Sequence, residues 1–261
     1  MKGEGRENDA WVIEDIGGRA RLEDTHSLVC DLGDVPGRVL GAIFDGHGGI
    51  EVAGMAGRVF PSLFQKAFAA GLPAGKSMQE AFLSIDNAAV ESRSGCVAVA
   101  FLLDGADLTV ANIGDAELLL VSRSSQKIHT ELHRLSNQGE KTRIIEAGGH
   151  IDGSYVMDSE GHGLQCTRSL GDRGFKELGI IPDPYLGNAH LGKNDLWIIA
   201  ACDGLWDVMR PVEAATIARK MKTARAVAEA LQQEAIEVRE TPDNLTVLVA
   251  SAKSPKPAGK A

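Results

Sequence analysis

The sequence has no excess of positive charge and no long apolar run. Lys and Arg number 27 against 36 Asp and Glu, which gives a formal net charge of −9. A nucleic-acid-binding domain usually carries a basic face, so we expect no nucleic-acid partner. No apolar run approaches the roughly 18 residues that span a bilayer, and the N-terminal stretch MKGEGREND lacks the apolar segment of a secretory signal. We therefore expect no membrane association and a cytoplasmic location, with the nucleus as an alternative.

Cysteine is also scarce. The four residues are Cys30, Cys96, Cys166 and Cys202, and none of them forms a Cys-x-x-Cys pair. Three of them lie in or beside apolar stretches. This pattern favours buried free thiols in a reducing compartment over a disulfide framework.

The predicted elements follow the order strands, two helices, many strands, two helices and a final strand. Because regular β-α-β alternation is missing, we expect antiparallel sheets with helices gathered in blocks rather than a doubly wound parallel sheet. Residues 50–71 have helical spacing, and Pro61 is expected to kink or divide this helix. The second helix is expected to open with a capping box of Ser77 and Glu80. Residues 158–194 are expected to form loops.

No internal repeat and no linker divides the chain. A hydrophobic fraction of 44% over 261 residues allows a sizeable core. We predict a single domain over residues 1–252. The remaining residues, 253–261, read KSPKPAGKA, and we expect this basic, Pro-rich tail to be disordered.

Three apolar strands meet an aspartate at one end. Asp45 follows GAIF, Asp203 follows WIIAAC, and Asp243 precedes NLTV. One such residue is more often a turn former, but three converging carboxylates would repel one another and raise their pKa values. A divalent cation removes that cost, and oxygen ligands select Mg²⁺ or Mn²⁺. Gly46 lets the backbone approach an ion, or it serves a turn that needs positive φ.

The segment GGRARLEDTH adds two charged candidates upstream. Glu23 is available as a further carboxylate, and Arg19 is available to bind an anion through its guanidinium fork. Surface Arg and Glu are common, so this segment alone is equally compatible with an ordinary solvated surface.

Taken together and in order, nine segments resemble the metal-dependent serine/threonine protein phosphatases of type 2C, the PPM family. The resemblance runs from about residue 11 to 252. Its specificity comes from the ordered set, in which DGHGG and CDGLWDVM are nearly intact. The segments are RARLED (19–24), FDGHGG (44–49), SGCVAVAFLL (94–103), LTVANIGDAELLL (108–120), EKTRIIEAGGHI (140–151), LQCTRSLGD (164–172), IPDP (181–184), ACDGLWDVM (201–209) and TPDNLTVLV (241–249).

This resemblance implies an α+β fold, a four-layer αββα sandwich of two antiparallel β-sheets flanked by helices. It also implies two ions, Mg²⁺ or Mn²⁺, at one end of the sandwich. Asp45 would bridge them, the Gly46 carbonyl and Glu23 would complete the shell of one ion, and Asp203 and Asp243 would hold the other.

Further residue roles are implied by the same resemblance. Arg19 would clamp the substrate phosphate, and His47 would be the general acid. Asp24 and Asn244 would orient ligands and waters. A third, weaker ion is expected near Asp115.

The implied function is hydrolysis of phosphoserine and phosphothreonine in phosphorylated proteins by direct attack of a metal-bridging hydroxide, carried out by a monomer. One alternative is a pseudophosphatase, a weak or inactive relative that acts as a binding module. Such chains usually break a metal aspartate or the phosphate arginine, and none is broken here. A two-metal nuclease is the second alternative, against which the acidic charge argues.

Overall fold

The computed structural model describes residues 2–6 and 9–252. Within these residues the helices are α1 (Glu51–Ala69), α2 (Ala74–Ala88), α3 (Gln138–Glu146), α4 (Asp203–Trp206), α5 (Pro211–Ala218) and α6 (Ala224–Gln233). A π-helical turn, Glu234–Val238, extends α6, and short 3₁₀ turns lie at Leu32–Asp34 and Arg173–Leu178. The strands are β1 (Lys2–Arg6), β2 (Ala10–Asp15), β3 (Thr25–Cys30), β4 (Val39–His47), β5 (Gly95–Asp104), β6 (Asp107–Ile113), β7 (Glu117–Ser122), β8 (Gln126–Ile128), β9 (His150–Asp152), β10 (Tyr155–Met157), β11 (Gly163–Leu164), β12 (Leu170–Gly171), β13 (Tyr185–His190), β14 (Asp195–Ala201) and β15 (Leu245–Ser251).

The strands form two large antiparallel sheets and one small sheet. The first sheet has the order β1-β2-β15-β14-β7-β8, and the second has the order β13-β6-β5-β4-β3 with β12 paired to β5. The small sheet, β11-β10-β9, lies outside both. Because β2 pairs with β15, residues from near the two ends of the chain lie side by side in the first sheet.

Three apolar cores separate four layers. The largest lies between the two large sheets and includes Val12, Phe101 and Leu248, all fully buried. A second packs α1 and α2 on the outer face of the second sheet, where the ring centroids of Phe44 and Phe60 are 5.6 Å apart. A third packs α5 and α6 on the first sheet. Burial of each large side chain stabilises the fold by about 1.5–3 kcal/mol. The predicted four-layer αββα sandwich is confirmed.

Helix α1 runs through Pro61 as one element, so of the two predicted outcomes, a kink or a division, the division is wrong. A proline has no N–H and leaves the carbonyl four residues earlier without its helical donor. Here that carbonyl belongs to Gly57, and the Ser27 hydroxyl on β3 donates to it at 2.6 Å. A tertiary contact therefore replaces the missing helical bond.

The predicted capping box is also wrong. Helix α2 begins at Ala74, directly after Pro73, so Ser77 already lies inside its first turn. The buried Ser77 hydroxyl donates back to the carbonyls of Leu72 and Pro73 at 3.3 and 3.2 Å. Its hydroxyl therefore lies inside the helix and bonds back to the preceding carbonyls, whereas a cap residue precedes the helix and accepts from its first amides.

The predicted loop over residues 158–194 is wrong in part. Tyr185–His190 forms β13, which pairs with β6 from Tyr185 opposite Asn112 to His190 opposite Asp107. The short sequence YLGNAH contains no sustained apolar run, and β13 lies at the edge of its sheet. The predicted tail at 253–261 lies outside the described residues. In the part of the chain that is described, no helix combines the length and the apolar character needed to cross a bilayer.

Candidate active site

The ends of strands from both large sheets meet at one edge of the sandwich. Strand β4 ends on Asp45, Gly46 and His47, β14 leads into Asp203, and Asp243 lies two residues before the start of β15. Nine of the ten residues that the sequence predicts for the site line one open cavity of about 640 Å³ at this edge, and the tenth, Asp24, is buried and is not part of its lining. The nine are Arg19, Glu23, Asp45, Gly46, His47, Asp115, Asp203, Asp243 and Asn244.

Glycine follows two of the aspartates because another backbone passes close to each. A Cβ at Gly46 would lie 2.3 Å from the Glu23 carbonyl oxygen, and a Cβ at Gly204 would lie 1.9 Å from that of Asn244. Gly46 is absent from the glycines with positive φ. Close approach, rather than turn geometry, therefore requires glycine at position 46.

The carboxylates of the site perturb one another. Burial, followed by the charges of Asp24 and Asp203, raises the pKa of Asp45 well above its ordinary value. Burial, with Asp115 and Asp207 next in size, raises the pKa of Asp203 to about 7. Like charges held this closely in a partly buried site are costly unless a cation or protons neutralise them.

The donor set fits a hard divalent cation. Asp24 is 2% exposed, and its Oδ2 accepts a hydrogen bond from the Thr246 hydroxyl at 2.7 Å. Its Oδ1 has no hydrogen-bond partner among the described residues, although it is buried. Asp24, Asp45 and Cys202 each offer one ligand atom, and these atoms lie within 4.8 Å of one another. An orphaned carboxylate oxygen in such a cluster is what a bound ion or its water would satisfy.

Cys202 does not supply a thiolate to this cluster. Burial raises the pKa of its thiol well above the ordinary value, with Asp24 the next cause. The sulfur also accepts from the Thr246 N–H at 3.1 Å and donates to the Asn244 carbonyl at 3.5 Å. A neutral thiol held by backbone leaves carboxylate oxygens as the available ligands, which selects Mg²⁺ or Mn²⁺ over softer metals.

Arg19 lies at the mouth of the cavity. Its Nη2 donates to Asp243 Oδ2 at 2.6 Å, and 58% of its side chain is exposed. This contact raises the pKa of Arg19 above its ordinary value. The guanidinium is thus beside the carboxylates, with one edge facing the cavity and solvent.

Asn244 ties the Arg19–Glu23 segment to the start of β15. Its Oδ1 accepts from the Glu23 N–H at 2.8 Å, and its Nδ2 donates to the carbonyls of Ile16 and Arg21 at 2.8 and 2.9 Å. These three bonds fix the backbone that presents Arg19 and Glu23 to the cavity.

His47 has a partner that the sequence did not indicate. Its Nε2 lies 2.8 Å from Oδ2 of Asp172, a residue that is 2% exposed and has φ of 54°. Burial lowers the pKa of His47, but the Asp172 carboxylate outweighs that effect and raises it. Gly95 makes room for the pair, because a Cβ there would lie 2.1 Å from the same carboxylate. The only sequence signal for Asp172 was its place in the segment LQCTRSLGD.

Comparison with known proteins agrees with this geometry. The family model described as Protein phosphatase 2C matches residues 13–244. This chain belongs to the protein phosphatase 2C family. It is therefore a metal-dependent serine/threonine protein phosphatase, a hydrolase that acts on phosphoproteins.

Two curated phosphatase 2C relatives illustrate the similarity. "Probable protein phosphatase 2C 2" of Oryza sativa subsp. japonica is 33% identical over 266 residues, which cover 90% of this chain and 69% of that protein. "Protein phosphatase 2C homolog 1" of Saccharomyces cerevisiae is 29% identical over 254 residues, 88% of each chain. Among solved structures, serine-threonine phosphatase 2C from Toxoplasma gondii superposes with a TM-score of 0.80 at 20% identity. That match covers 94% of this chain and 95% of the other, and it shows the shared fold.

The phosphatase site contains a second residue that sequence reasoning missed. Arg134 follows β8, and its guanidinium pairs with Asp115 at 2.6 Å, Asp203 at 3.1 Å and Asp207 at 3.3 Å. The sequence around a single arginine in a polar segment does not indicate that it will pair with distant carboxylates. Its three partners are separated from it by up to 73 residues.

Proposed function

We propose that this phosphatase hydrolyses phosphoserine and phosphothreonine with two divalent cations, Mg²⁺ or Mn²⁺, by direct attack of water on phosphorus. The observation that carries this proposal is the meeting of Asp45, Asp203 and Asp243 with Glu23 in one cavity. Burial, with the charges of Asp24 and Asp203, raises the pKa of Asp45, and a buried oxygen of Asp24 has no hydrogen-bond partner among the described residues. Two bound cations would neutralise the crowded carboxylates and would give the buried oxygen of Asp24 a partner.

The proposed ligands are oxygen donors that line the cavity. Glu23, Asp45, Asp203, Asp243 and the Gly46 carbonyl would hold the two ions. When bound, the cations supply the positive charge that acidifies the attacking water and offsets charge on the phosphoryl oxygens. Asp24, which is buried behind Asp45, would hold waters and orient the ligands.

Arg19 is proposed to bind the substrate phosphate. Only its Nη2 is occupied by Asp243; among the contacts described, Nε and Nη1 have no hydrogen-bond partner. A guanidinium edge of this kind donates two parallel hydrogen bonds to two phosphoryl oxygens, as a bidentate pair. The Asp243 contact holds the side chain at the cavity mouth, so little reorganisation is needed when substrate arrives.

His47 is proposed to protonate the departing serine or threonine oxygen. Asp172 contacts Nε2, which leaves Nδ1 as the nitrogen that donates the proton to the leaving group. Asp172 is thus a positioning residue that fixes the ring and favours its charged form. General acid assistance of this kind contributes about 10²–10⁴-fold in rate.

We propose that the phosphatase acts as a monomer on phosphoproteins in the cytoplasm or the nucleus, without nucleic-acid or membrane partners. The net charge of −9 supports the exclusion of nucleic acid.

A metal titration on a panel of phosphoserine and phosphothreonine peptides tests the proposed function. Phosphate release should depend on Mn²⁺ or Mg²⁺ and stop with EDTA, and Asp203→Asn or Asp243→Asn should abolish it. Asp107→Asn is the matched control, because Asp107 is an exposed aspartate that pairs with His190 away from the cavity. Turnover that survives EDTA would refute the metal assignment. A folded protein that is inactive at every metal concentration would favour the pseudophosphatase alternative.

A further inference from the structure

Arg134 lies beside the proposed metal ligands and forms ion pairs with three carboxylates. Among the ion pairs of the described residues, no other cation beside these ligands pairs with three carboxylates. Its Nε contacts Asp115, its Nη2 contacts Asp203, and its Nη1 contacts Asp207, at 2.6, 3.1 and 3.3 Å. Asp115 is 5% exposed, and 20% of the Arg134 side chain is exposed. The guanidinium therefore uses a different nitrogen for each acid and lies between them.

The backbone around Arg134 is held in place by hydrogen bonds to two neighbouring segments, which fixes the point from which its side chain extends. The His133 N–H donates to the Gly114 carbonyl at 3.0 Å, next to Asp115. The Thr167 N–H donates to the His133 carbonyl at 2.9 Å, and Arg134 forms an isolated β-bridge with Cys166. The segment that carries Arg134 is thereby anchored both to the β6–β7 turn and to the far wall of the cavity.

We infer that the guanidinium of Arg134 fills the position that the sequence assigned to a third, weaker metal ion near Asp115. This inference rests on the proposed two-cation site. One oxygen of Asp203, Oδ2, contacts Arg134, and among the contacts described here Oδ1 has no hydrogen-bond partner, so it stays available to the paired ions. A third divalent ion at Asp115 would lie against a fixed positive charge that already neutralises its ligands. The site would therefore hold two exchangeable metal ions, and the guanidinium of Arg134, which is part of the chain, would supply the third positive charge.

Counting bound Mn²⁺ tests this inference independently of turnover. Free Mn²⁺ gives a strong electron paramagnetic resonance signal, so a titration yields the number of ions bound per chain. We expect two ions for the unmodified protein and still two for Asp115→Asn. We expect Arg134→Met to bind a third, weaker ion, and the double variant Arg134→Met/Asp115→Asn to return to two.

Arg239→Met is the matched control, because Arg239 pairs with Glu213 and Glu234 at another part of the surface. It should leave the ion count at two. If Arg134→Met fails to fold, as judged by circular dichroism, the count for Asp115→Asn decides the question.

Three outcomes would overturn the inference. A third ion in the unmodified protein that Asp115→Asn removes would show that Asp115 binds metal beside Arg134. An unchanged count in folded Arg134→Met would show that the guanidinium blocks nothing. An unmodified protein that binds no Mn²⁺ would overturn the proposed function together with this inference, whereas three ions would overturn the inference alone.

Discussion

Glu140 on α3 is 3% exposed and joins parts of the chain that are distant in sequence. Its carboxylate accepts from Arg143 at 2.7 Å, from Arg168 at 2.7 Å and from the Thr167 hydroxyl at 2.7 Å. The two arginines in turn donate to the carbonyls of Thr167, Gly179 and Asp183. Glu140 therefore holds the segment that contains Asp172, the partner of His47.

Replacing Glu140 with Ala should cost about 3–5 kcal/mol of unfolding free energy, because it leaves two partly buried guanidinium groups without their counter-charge. At about 2–4 °C per kcal/mol for a chain of this size, Tm should fall by roughly 6–20 °C. Thermal unfolding followed by circular dichroism measures this. Glu146→Ala is the matched control, since Glu146 lies on the same helix and is exposed.

The pH dependence of stability gives a second readout for Glu140. Burial raises the pKa of its carboxyl, but Arg143, Arg168 and Thr167 outweigh burial and hold the pKa well below its ordinary value. The stabilisation is thus complete above the unfolded pKa of about 4.3 and is lost as pH falls below it. Glu140→Gln should flatten this acid limb. A Tm within about 2 °C of the unmodified protein for Glu140→Ala would refute the reasoning.

Three further predictions concern other parts of the molecule. His47→Asn should lower kcat on phosphopeptides by about 10²–10⁴-fold but affect p-nitrophenyl phosphate much less; equal losses on both substrates would remove His47 from the acid role. Burial raises the pKa of Asp203 to about 7 and that of Asp24 to about 6, so the folded metal-free protein retains protons that the unfolded chain has lost. Its Tm in EDTA should therefore fall as pH rises from about 4 to 7, and Mn²⁺ should reverse the trend; a rising Tm would contradict this. Ser27→Ala should leave the Gly57 carbonyl without a donor and cost about 1–3 kcal/mol, measured by urea unfolding, whereas no change would mean that water replaces the hydroxyl.

The types and order of most elements could be predicted from local pattern. Apolar strands such as those ending at Asp45 and Asp203 are recognisable because their side chains alternate or run continuously over a strand length. Their grouping favoured antiparallel sheets over a doubly wound parallel sheet. The four-layer sandwich was implied by the resemblance to type 2C phosphatases. Strand β13 escaped prediction because its short, mixed sequence YLGNAH shows no sustained apolar run, and only the fold brings it beside β6.

Local rules failed where a distant residue supplied a missing hydrogen bond. Pro61 breaks a helix unless something else satisfies the carbonyl of Gly57, and only the fold brings Ser27 there. Ser77 looked like a helix cap because the sequence does not reveal that Pro73 starts the helix one turn earlier.

The sequence by itself indicated Asp45 and Asp203 as candidates, because a strand end followed by aspartate and glycine is a local pattern with a chemical reason, and both line one cavity. Tertiary structure alone decided what neutralises and orients those groups. Asp172 lies 125 residues from His47, and Arg134 lies 69 residues from Asp203. Electrostatic partners act through space over a few ångströms, and no spacing along the chain encodes which charges the folded backbone will bring within that range.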